Sequence, residues 1–322
     1  MTILVIGESL IDIFYNQDGE ELDRRPGGSP MNVAIGLARL GRDTSLLTRI
    51  GDDAAGDSIV EHCAADRVHL VAGSVTADPT SLAQAHLGAD GSANYTFELH
   101  SDYPMPPTDE RERADLLDGA PRLVHIGSIG AHLEPGAKAV REWIKFYRPK
   151  STISYDPNVR LDVVGPASKL REEVESFLDL VDVFKASKED LEFLYEDFDL
   201  DVAVDKVLDA GVSLVVITDG SAGLHLYTKN HQVTIPAISV EVVDTVGAGD
   251  SLMSALIDGL GRLSVIGREE VDAIRGLSKT MLTTLGYYAA TAASITVTRR
   301  GANPPNRAEI SAQSEKYSLE GL

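Results

Sequence analysis

The sequence predicts an α/β protein with a doubly wound, mostly parallel sheet that is sandwiched by helices and carries a small β lid. Short apolar runs rich in β-branched residues alternate along the chain with patterns of helical spacing. The runs are continuous rather than alternating, which is typical of strands covered on both faces. A repeated βαβα order indicates a parallel sheet. The predicted strands are Ile3–Ile6, Ser45–Thr48, Leu123–Ile126, Thr152–Tyr155, Val183–Lys185, Leu214–Thr218 and Ile295–Val297.

The first connection between these strands is expected to be a helix over Pro30–Leu40. Val33, Ala34 and Leu37 recur at the spacing that places apolar residues on one helical face. Gly41 follows directly and is a natural C-terminal stop.

Two segments depart from this pattern, because their apolar residues alternate with polar ones as in half-exposed antiparallel strands. The first is 12–25. The second is 81–103, which contains turn residues at 89–92. We interpret both segments as pieces of one lid over a ligand site, and ordinary surface hairpins are the alternative. The remaining segments, 1–11, 26–80 and 104–322, are expected to form one α/β core.

Composition and charge exclude several classes of function. The 322 residues include 29 Lys and Arg against 50 Asp and Glu, which gives a net charge of -21. This charge repels phosphate backbones and anionic membrane surfaces, so we expect no nucleic-acid or membrane partner. The single cysteine, Cys63, allows no intrachain disulfide, and the start of the chain does not resemble a signal peptide. Both observations favour a cytoplasmic location.

The most informative stretch is DTVGAGDSLMSALI, residues 244–257. Small and apolar residues at helical spacing fill its second half, so Gly247 and Gly249 are expected in the turn at a helix N-terminus. Backbone N–H groups in such a turn can hold an anion despite the net charge, and glycine lets the backbone approach closely. Asp250 lies in the same turn. A carboxylate there suggests a general base for phosphoryl transfer.

The residues alone leave other roles open for this stretch. Asp250 at an early helix position is also a common capping residue, and a single GxG is weak evidence. The chain has no GxxxxGK[ST] motif, and Leu252 occupies the place of the third glycine of a dinucleotide fingerprint. A P-loop and an oxidoreductase of the dinucleotide-binding type are therefore disfavoured.

A second motif is GGSPMNVA, residues 27–34, which is followed by Gly41 and Gly51. With this motif and residues 244–257 the chain resembles the PfkB, or ribokinase-like, carbohydrate kinases, whose N-terminal and C-terminal signatures these two segments match. The resemblance extends from the opening residues 7–12 to the closing residues 300–305. It implies a ribokinase-like fold.

The resemblance also implies a sugar site. In such kinases the residues at Asp12 and Asn32 hydrogen-bond sugar hydroxyls, and the glycine pair Gly27-Gly28 allows close approach. A carboxylate and a carboxamide can match several sugar hydroxyls at once. Asp250 would contact the accepting hydroxyl and act as the catalytic base.

The same resemblance implies how phosphates are held. Gly247, Ala248 and Gly249 would form the anion hole for the transferred phosphoryl group. Arg160, at the end of the segment DPNVR, would reach the phosphates with its planar guanidinium. A surface arginine is the alternative for that residue.

ATP and Mg²⁺ are the implied cofactors, and K⁺ is a further candidate. Thr218, Gly220 and Gly223 match the segment beside the nucleotide, where a simple β-turn is the alternative. Ser187 and Asp190 stand where many relatives carry Asn-x-x-Glu, and they would contact the nucleotide and order water bound to Mg²⁺. Asp244 would help to bind the monovalent cation. The implied site residues are Asp12, Gly27, Gly28, Asn32, Arg160, Ser187, Asp190, Thr218, Gly220, Gly223, Asp244, Gly247, Ala248, Gly249 and Asp250.

These assignments predict an ATP-dependent sugar kinase. Serine at position 187, with segments 156–160 and 300–305, resembles the fructokinase-like branch of the family, which implies a fructokinase that phosphorylates the 6-hydroxyl of D-fructose. A 2-keto-3-deoxygluconate kinase, a ribokinase or a nucleoside kinase are alternatives, although segment 81–103 lacks Lys and Arg and so favours a neutral sugar. A catalytically silent sugar-binding protein is a further alternative. Exposed strand edges of the lid also predict a homodimer.

Overall fold

A large sheet of nine strands organises the part of the chain that the computed structural model describes, residues 2–87, 93–160, 163, 165–195 and 199–313. Its order is β15-β14-β13-β12-β11-β10-β1-β4-β6, with antiparallel pairing only at β13-β14 and β14-β15. The mostly parallel sheet predicted from the sequence is confirmed. Its strands are β1 (Thr2–Ile6), β4 (Asp43–Leu47), β6 (His69–Leu70), β10 (Leu123–Gly127), β11 (Thr152–Asp156), β12 (Val183–Ser187), β13 (Leu214–Thr218), β14 (Leu224–Tyr227) and β15 (Gln232–Ile235).

Both faces of this sheet are buried, which explains the continuous apolar runs. In β1, Ile3 and Val5 pack into one apolar core, whereas Leu4 and Ile6 pack into a second core on the opposite face. Helices cover both faces of the sheet in the described part of the chain. They are α1 (Ser29–Arg39), α2 (Ala54–Ala65), α3 (Glu110–Asp118), α4 (Ser128–His132), α5 (Gly136–Tyr147), α6 (Ala167–Glu175), α7 (Lys188–Leu194), α8 (Leu200–Asp209), α9 (Ala248–Arg262), α10 (Val271–Arg275), α11 (Lys279–Val297) and α12 (Arg307–Ser311).

Helix α1 confirms the helix predicted over Pro30–Leu40. Within the described ranges, none of the helices combines the length and the apolar character that a membrane crossing requires.

A second sheet contains strands from the two segments that depart from the α/β pattern. It has the order β3-β2-β8-β9, with β2 (Leu10–Tyr15) and β3 (Glu21–Gly27) joined to β8 (Ser81–Leu87) and β9 (Ala93–Glu98). Strands β2 and β8 pair in parallel, and the two hairpins are antiparallel. The predicted turn at 89–92 lies outside the described residues. The division into lid and core stays a prediction. A further pair of short strands, β5 (Ile50–Gly51) and β7 (Val75–Thr76), is separate.

The strand predicted at Ile295–Val297 is wrong, because these residues form the last turn of α11. The β-branched run is only three residues long, and sixteen residues of helix precede it. Thr296 is fully buried there and donates its hydroxyl to Ser251 Oγ of α9 at 2.7 Å. Packing between two long helices therefore outweighs the local strand preference of the run.

Candidate active site

Part of the predicted site lies where the central parallel strands end. Asp156 ends β11, Ser187 ends β12 and Thr218 ends β13. The helix α9 begins at Ala248, and its first turn contains Asp250. In open α/β sheets ligands usually bind at this edge, in the crevice outside the carboxyl ends of the strands.

The glycine-rich turn has a conformation that requires glycine. Gly247 is the N-cap residue of α9 and adopts φ 76° and ψ 4°, which is left-handed backbone. A Cβ atom at Gly247 would lie 2.6 Å from Cβ of Ala302, so space is lacking as well. The turn therefore presents the N-terminal amides of α9 without a side chain at Gly247.

Asp244 fastens this turn to the C-terminal loop. Its carboxylate accepts hydrogen bonds from the Val246 amide at 3.0 Å and from the Gly301 amide at 2.8 Å. These backbone hydrogen bonds lower the pKa of Asp244 below its usual value. The Asp244 carboxylate, which is predicted to help to bind a monovalent cation, thus also connects the glycine-rich turn to the C-terminal loop.

Asp250 is held by two side chains from the other signature segment. Its carboxylate accepts hydrogen bonds from Ser29 Oγ at 2.6 Å and from Asn32 Nδ2 at 2.8 Å. Ser29 and Asn32 lie three residues apart in α1 and so share one helical face. The structure therefore unites the two predicted motifs, although sequence reasoning did not single out Ser29.

A glycine allows α1 and α9 to pack closely enough for these hydrogen bonds. A Cβ atom at Gly36 in α1 would overlap Oγ of Ser254 in α9. The small pair Ser254-Ala255 after Asp250 is fully buried in the same region. Small residues at the crossing thus set the distance between the helices that carry Asn32 and Asp250.

Asp12 and the glycine pair form a second part of the site. A Cβ atom at Gly27 would overlap Oδ2 of Asp12, so only glycine leaves room for that carboxylate. Gly28 has φ 116°, and a Cβ atom there would lie 2.5 Å from the carbonyl oxygen of Glu8. Burial raises the pKa of Asp12 to about 6, although Arg25 on the paired strand opposes this effect.

Ser187 and Asp190 form a capping box at the start of α7. Ser187 Oγ accepts a hydrogen bond from the Asp190 amide at 3.0 Å, and Asp190 Oδ2 accepts one from the Ser187 amide at 2.8 Å. The second oxygen of Asp190 accepts the Val159 amide at 2.9 Å, which ties α7 to the DPNVR segment. The structure gives these residues a local role, and their contacts to the nucleotide and Mg²⁺ stay a prediction.

Thr218, Gly220 and Gly223 surround the turn after β13. Thr218 is the cross-strand partner of Ser187, so these two predicted nucleotide residues are neighbours. Gly223 has φ 108°, and a Cβ atom there would overlap the carbonyl oxygen of Ile235. Gly220 has φ 47° and open space around it. The glycine at 223 thus has a packing reason that does not depend on a ligand.

Arg160 is exposed, and its guanidinium donates to the Val159 carbonyl at 3.0 Å. Within the described ranges it makes no ion pair at the glycine-rich turn. The structure therefore does not bring Arg160 together with Asp250, and its contact with phosphates stays a prediction.

Sequence reasoning missed a buried ion pair beside the site. Lys185 Nζ donates to Asp156 Oδ2 at 2.6 Å, and the two side chains are 6% and 2% exposed. Lys185 lies in a predicted strand and Asp156 in a recognised segment, but nothing in the sequence indicated that they meet.

Comparison with known structures places this fold in the ribokinase-like class. A solved structure of an uncharacterized sugar kinase from Pyrococcus horikoshii in complex with ATP is 27% identical, covers 100% of both chains and has a TM-score of 0.75. A structure of fructokinase with bound ATP from Xylella fastidiosa has a TM-score of 0.81 at 24% identity, covering 98% of this chain and 99% of that one.

The chain belongs to the pfkB family of carbohydrate kinases, since that family model matches residues 2–309. It is thus a phosphotransferase with an alcohol group as acceptor. Fructokinase from Klebsiella pneumoniae is 32% identical over 80% of this chain and 84% of that protein. Fructokinase-2 from Solanum lycopersicum is 30% identical over 94% of this chain and 92% of that protein.

Proposed function

We propose that the protein is an ATP- and Mg²⁺-dependent fructokinase that transfers the γ-phosphoryl group to the 6-hydroxyl of D-fructose. The observation that carries this proposal is the placement of Asp250, held by Ser29 and Asn32 in the first turn of α9. The fructokinases from Klebsiella pneumoniae and Solanum lycopersicum among the relatives support the choice of sugar.

The proposed reaction is an in-line displacement. The sugar hydroxyl oxygen forms a bond to the γ-phosphorus while the bond to the β–γ bridging oxygen breaks, and ADP leaves. Asp250 accepts the hydroxyl proton. Because such a transition state is loose, charge stabilisation by the amides of Gly247, Ala248 and Gly249 contributes more than proton removal.

Asp12 and Asn32 would orient the sugar in this scheme. The raised pKa of Asp12, about 6, still leaves its carboxylate ionised at neutral pH, where it can accept hydroxyl protons in hydrogen bonds. Gly27 leaves the space that the Asp12 carboxylate occupies, and Gly28 lets the backbone pass close to the Glu8 carbonyl. Arg160, which is exposed, would add a positive charge for the phosphates.

The acidic residues fit the cations that the proposal includes. Both Asp190 oxygens accept one backbone amide each and keep lone pairs for water bound to Mg²⁺. Bound Mg²⁺ would neutralise charge on the β- and γ-phosphates. Asp244, with its lowered pKa, would supply negative charge for K⁺.

The second sheet supports the proposed lid and a homodimer through it. Leu22 and Tyr95 are 57% and 50% exposed on this sheet, so association of two copies would cover them. Closure over the sugar would exclude water and limit hydrolysis of ATP. Size-exclusion chromatography that shows only monomer would contradict the dimer. A cytoplasmic location belongs to the same proposal.

The decisive experiment measures ADP formation from ATP with fructose, ribose, 2-keto-3-deoxygluconate and adenosine at equal concentration. Fructose is expected to give the highest kcat/KM. Asp250→Ala is expected to lower kcat at least ~10²-fold, which is the range of general-base effects. Asp272→Ala is the matched control, because Asp272 is 91% exposed in a surface ion pair. A kcat above a tenth of wild type for Asp250→Ala would refute the base assignment.

A further inference from the structure

The buried pair of Lys185 and Asp156 has no part in the reaction scheme above. Their side chains are almost fully buried, and the ammonium lies 2.6 Å from the carboxylate. Replacing a buried ion pair with apolar residues of similar volume is often neutral or stabilising, so such a pair is weak evidence for a stability role. Its position beside the site therefore suggests a functional reason.

The Lys185 ammonium lies against the first turn of α9. A Cβ atom at Gly249 would be 3.1 Å from Lys185 Nζ, which is tighter than an ordinary contact. Gly249 thus allows the ammonium to approach the turn that would bind phosphate. This adds a second reason for glycine at that position, besides the approach of a ligand.

Several acidic groups surround this ammonium. Burial opposes the charged form of Lys185, but Asp156, Asp190 and Asp250 outweigh burial and raise its pKa above the usual value. On β10, His125 stays neutral, because burial and the nearby Lys185 lower its pKa to about 3. Lys185 is therefore the fixed positive charge among three carboxylates at the end of the sheet.

We infer that Lys185 is a positioning residue for phosphoryl transfer, whose ammonium offsets the converging carboxylates beneath the turn Gly247–Gly249 and so allows that turn to hold phosphate. Asp156 acts as the anchor that fixes the ammonium there. The inference rests on the proposed kinase function. Three carboxylates without Lys185 would repel the ATP phosphates that this edge of the sheet is expected to receive.

The test compares Lys185→Met, Asp156→Asn and the double variant Lys185→Met/Asp156→Asn. Lys145→Met is the matched control, because Lys145 is 51% exposed in a surface ion pair with Glu142. For Lys185→Met we expect kcat to fall at least 30-fold while the KM for fructose changes less than threefold. Asp156→Asn keeps the ammonium and is expected to retain at least a tenth of the wild-type kcat.

The double variant separates an electrostatic role from a merely structural one. It leaves no unpaired buried charge, so we expect its melting temperature to be closer to wild type than that of Lys185→Met. Its kcat should nevertheless stay at least tenfold below that of Asp156→Asn. Recovery of kcat to within threefold of wild type, or equal kcat values for Asp156→Asn and the double variant, would overturn the inference.

A binding measurement keeps this inference distinct from the kinase proposal. Isothermal titration calorimetry without sugar should show that Lys185→Met lowers the affinity for ATP at least tenfold. The affinity for adenosine should stay within twofold of the wild-type value. If the wild-type protein phosphorylates none of the four candidate acceptors, the proposed function fails. A selective loss of ATP affinity in Lys185→Met would still support the role of Lys185 in holding phosphate. Unchanged ATP affinity in Lys185→Met would overturn it.

Discussion

Replacing Asp12 with asparagine is expected to stabilise the protein while it weakens the sugar site. The Asp12 carboxylate lies over Gly27 at the start of the second sheet, where it is half-buried. Burial raises its pKa from 3.8 to about 6, and Arg25 compensates only in part. The ionised carboxylate therefore destabilises the folded chain, and asparagine removes that charge at nearly the same size.

The magnitude of the expected gain in stability follows from the pKa of Asp12. Since the folded pKa of Asp12 lies above the unfolded one, the penalty is small below about pH 4 and complete above about pH 7. The pKa values of Asp12 in the folded and unfolded chain differ by about two, which corresponds to about 3 kcal/mol of unfolding free energy at pH 8. An unfolding entropy of ~2.1 cal/mol/K per residue converts this into a Tm higher by about 4 °C.

Differential scanning calorimetry of the ligand-free protein at pH 4 and pH 8 tests this value. Asp12→Asn should raise Tm by about 4 °C at pH 8 and by less than about 1 °C at pH 4. Asp18→Asn, in the exposed turn of the same hairpin, should change Tm little at either pH. A gain independent of pH, or a loss at pH 8, would refute the argument. The KM for fructose should rise at least ~10-fold, because a charged hydrogen-bond acceptor is lost.

Three further substitutions test packing and support of the site. Asp258→Ala removes a fully buried carboxylate that binds Arg42, Arg307 and Tyr288. Urea denaturation should therefore show a free energy of unfolding lower by about 3–5 kcal/mol. Ser29→Ala should lower kcat about tenfold in steady-state assays, because Asp250 loses one of the two side chains that hold it. A charged hydrogen bond contributes ~1.5–3 kcal/mol to folding, so Tm should fall by about 2–4 °C. Gly223→Ala should lower Tm far more than Gly220→Ala, because only Gly223 abuts a backbone carbonyl.

The fold was predictable from the sequence wherever a segment carries its own signal. The β1 run is apolar throughout because each face of the sheet has its own core, and that pattern is visible without a structure. Ile295–Val297 misled the prediction because strand preference is local, whereas its contact with Ser251 joins residues 45 positions apart. Packing against α9 decided the conformation.

The site was predictable in its motifs but not in its contacts. The residues Asn32 and Asp250 are recognisable in the chain, yet the hydrogen bond between them spans 218 positions. Ser29 is part of the same motif, and its spacing of three from Asn32 on one helix is a signal that could have identified it. Lys185 gave no such signal, since a lysine side chain is almost never fully buried unless it is paired.

Phosphorus NMR of the products formed from ATP and D-fructose tests whether Asp250 directs phosphoryl transfer to the sugar. We expect fructose 6-phosphate and ADP in equal amounts with the wild-type protein, and at least ~10²-fold slower formation with Asp250→Asn. Phosphorylation at another hydroxyl would contradict the proposed orientation of the sugar. Release of inorganic phosphate alone, or equal rates for wild type and Asp250→Asn, would contradict the claim that Asp250 directs phosphoryl transfer to a sugar.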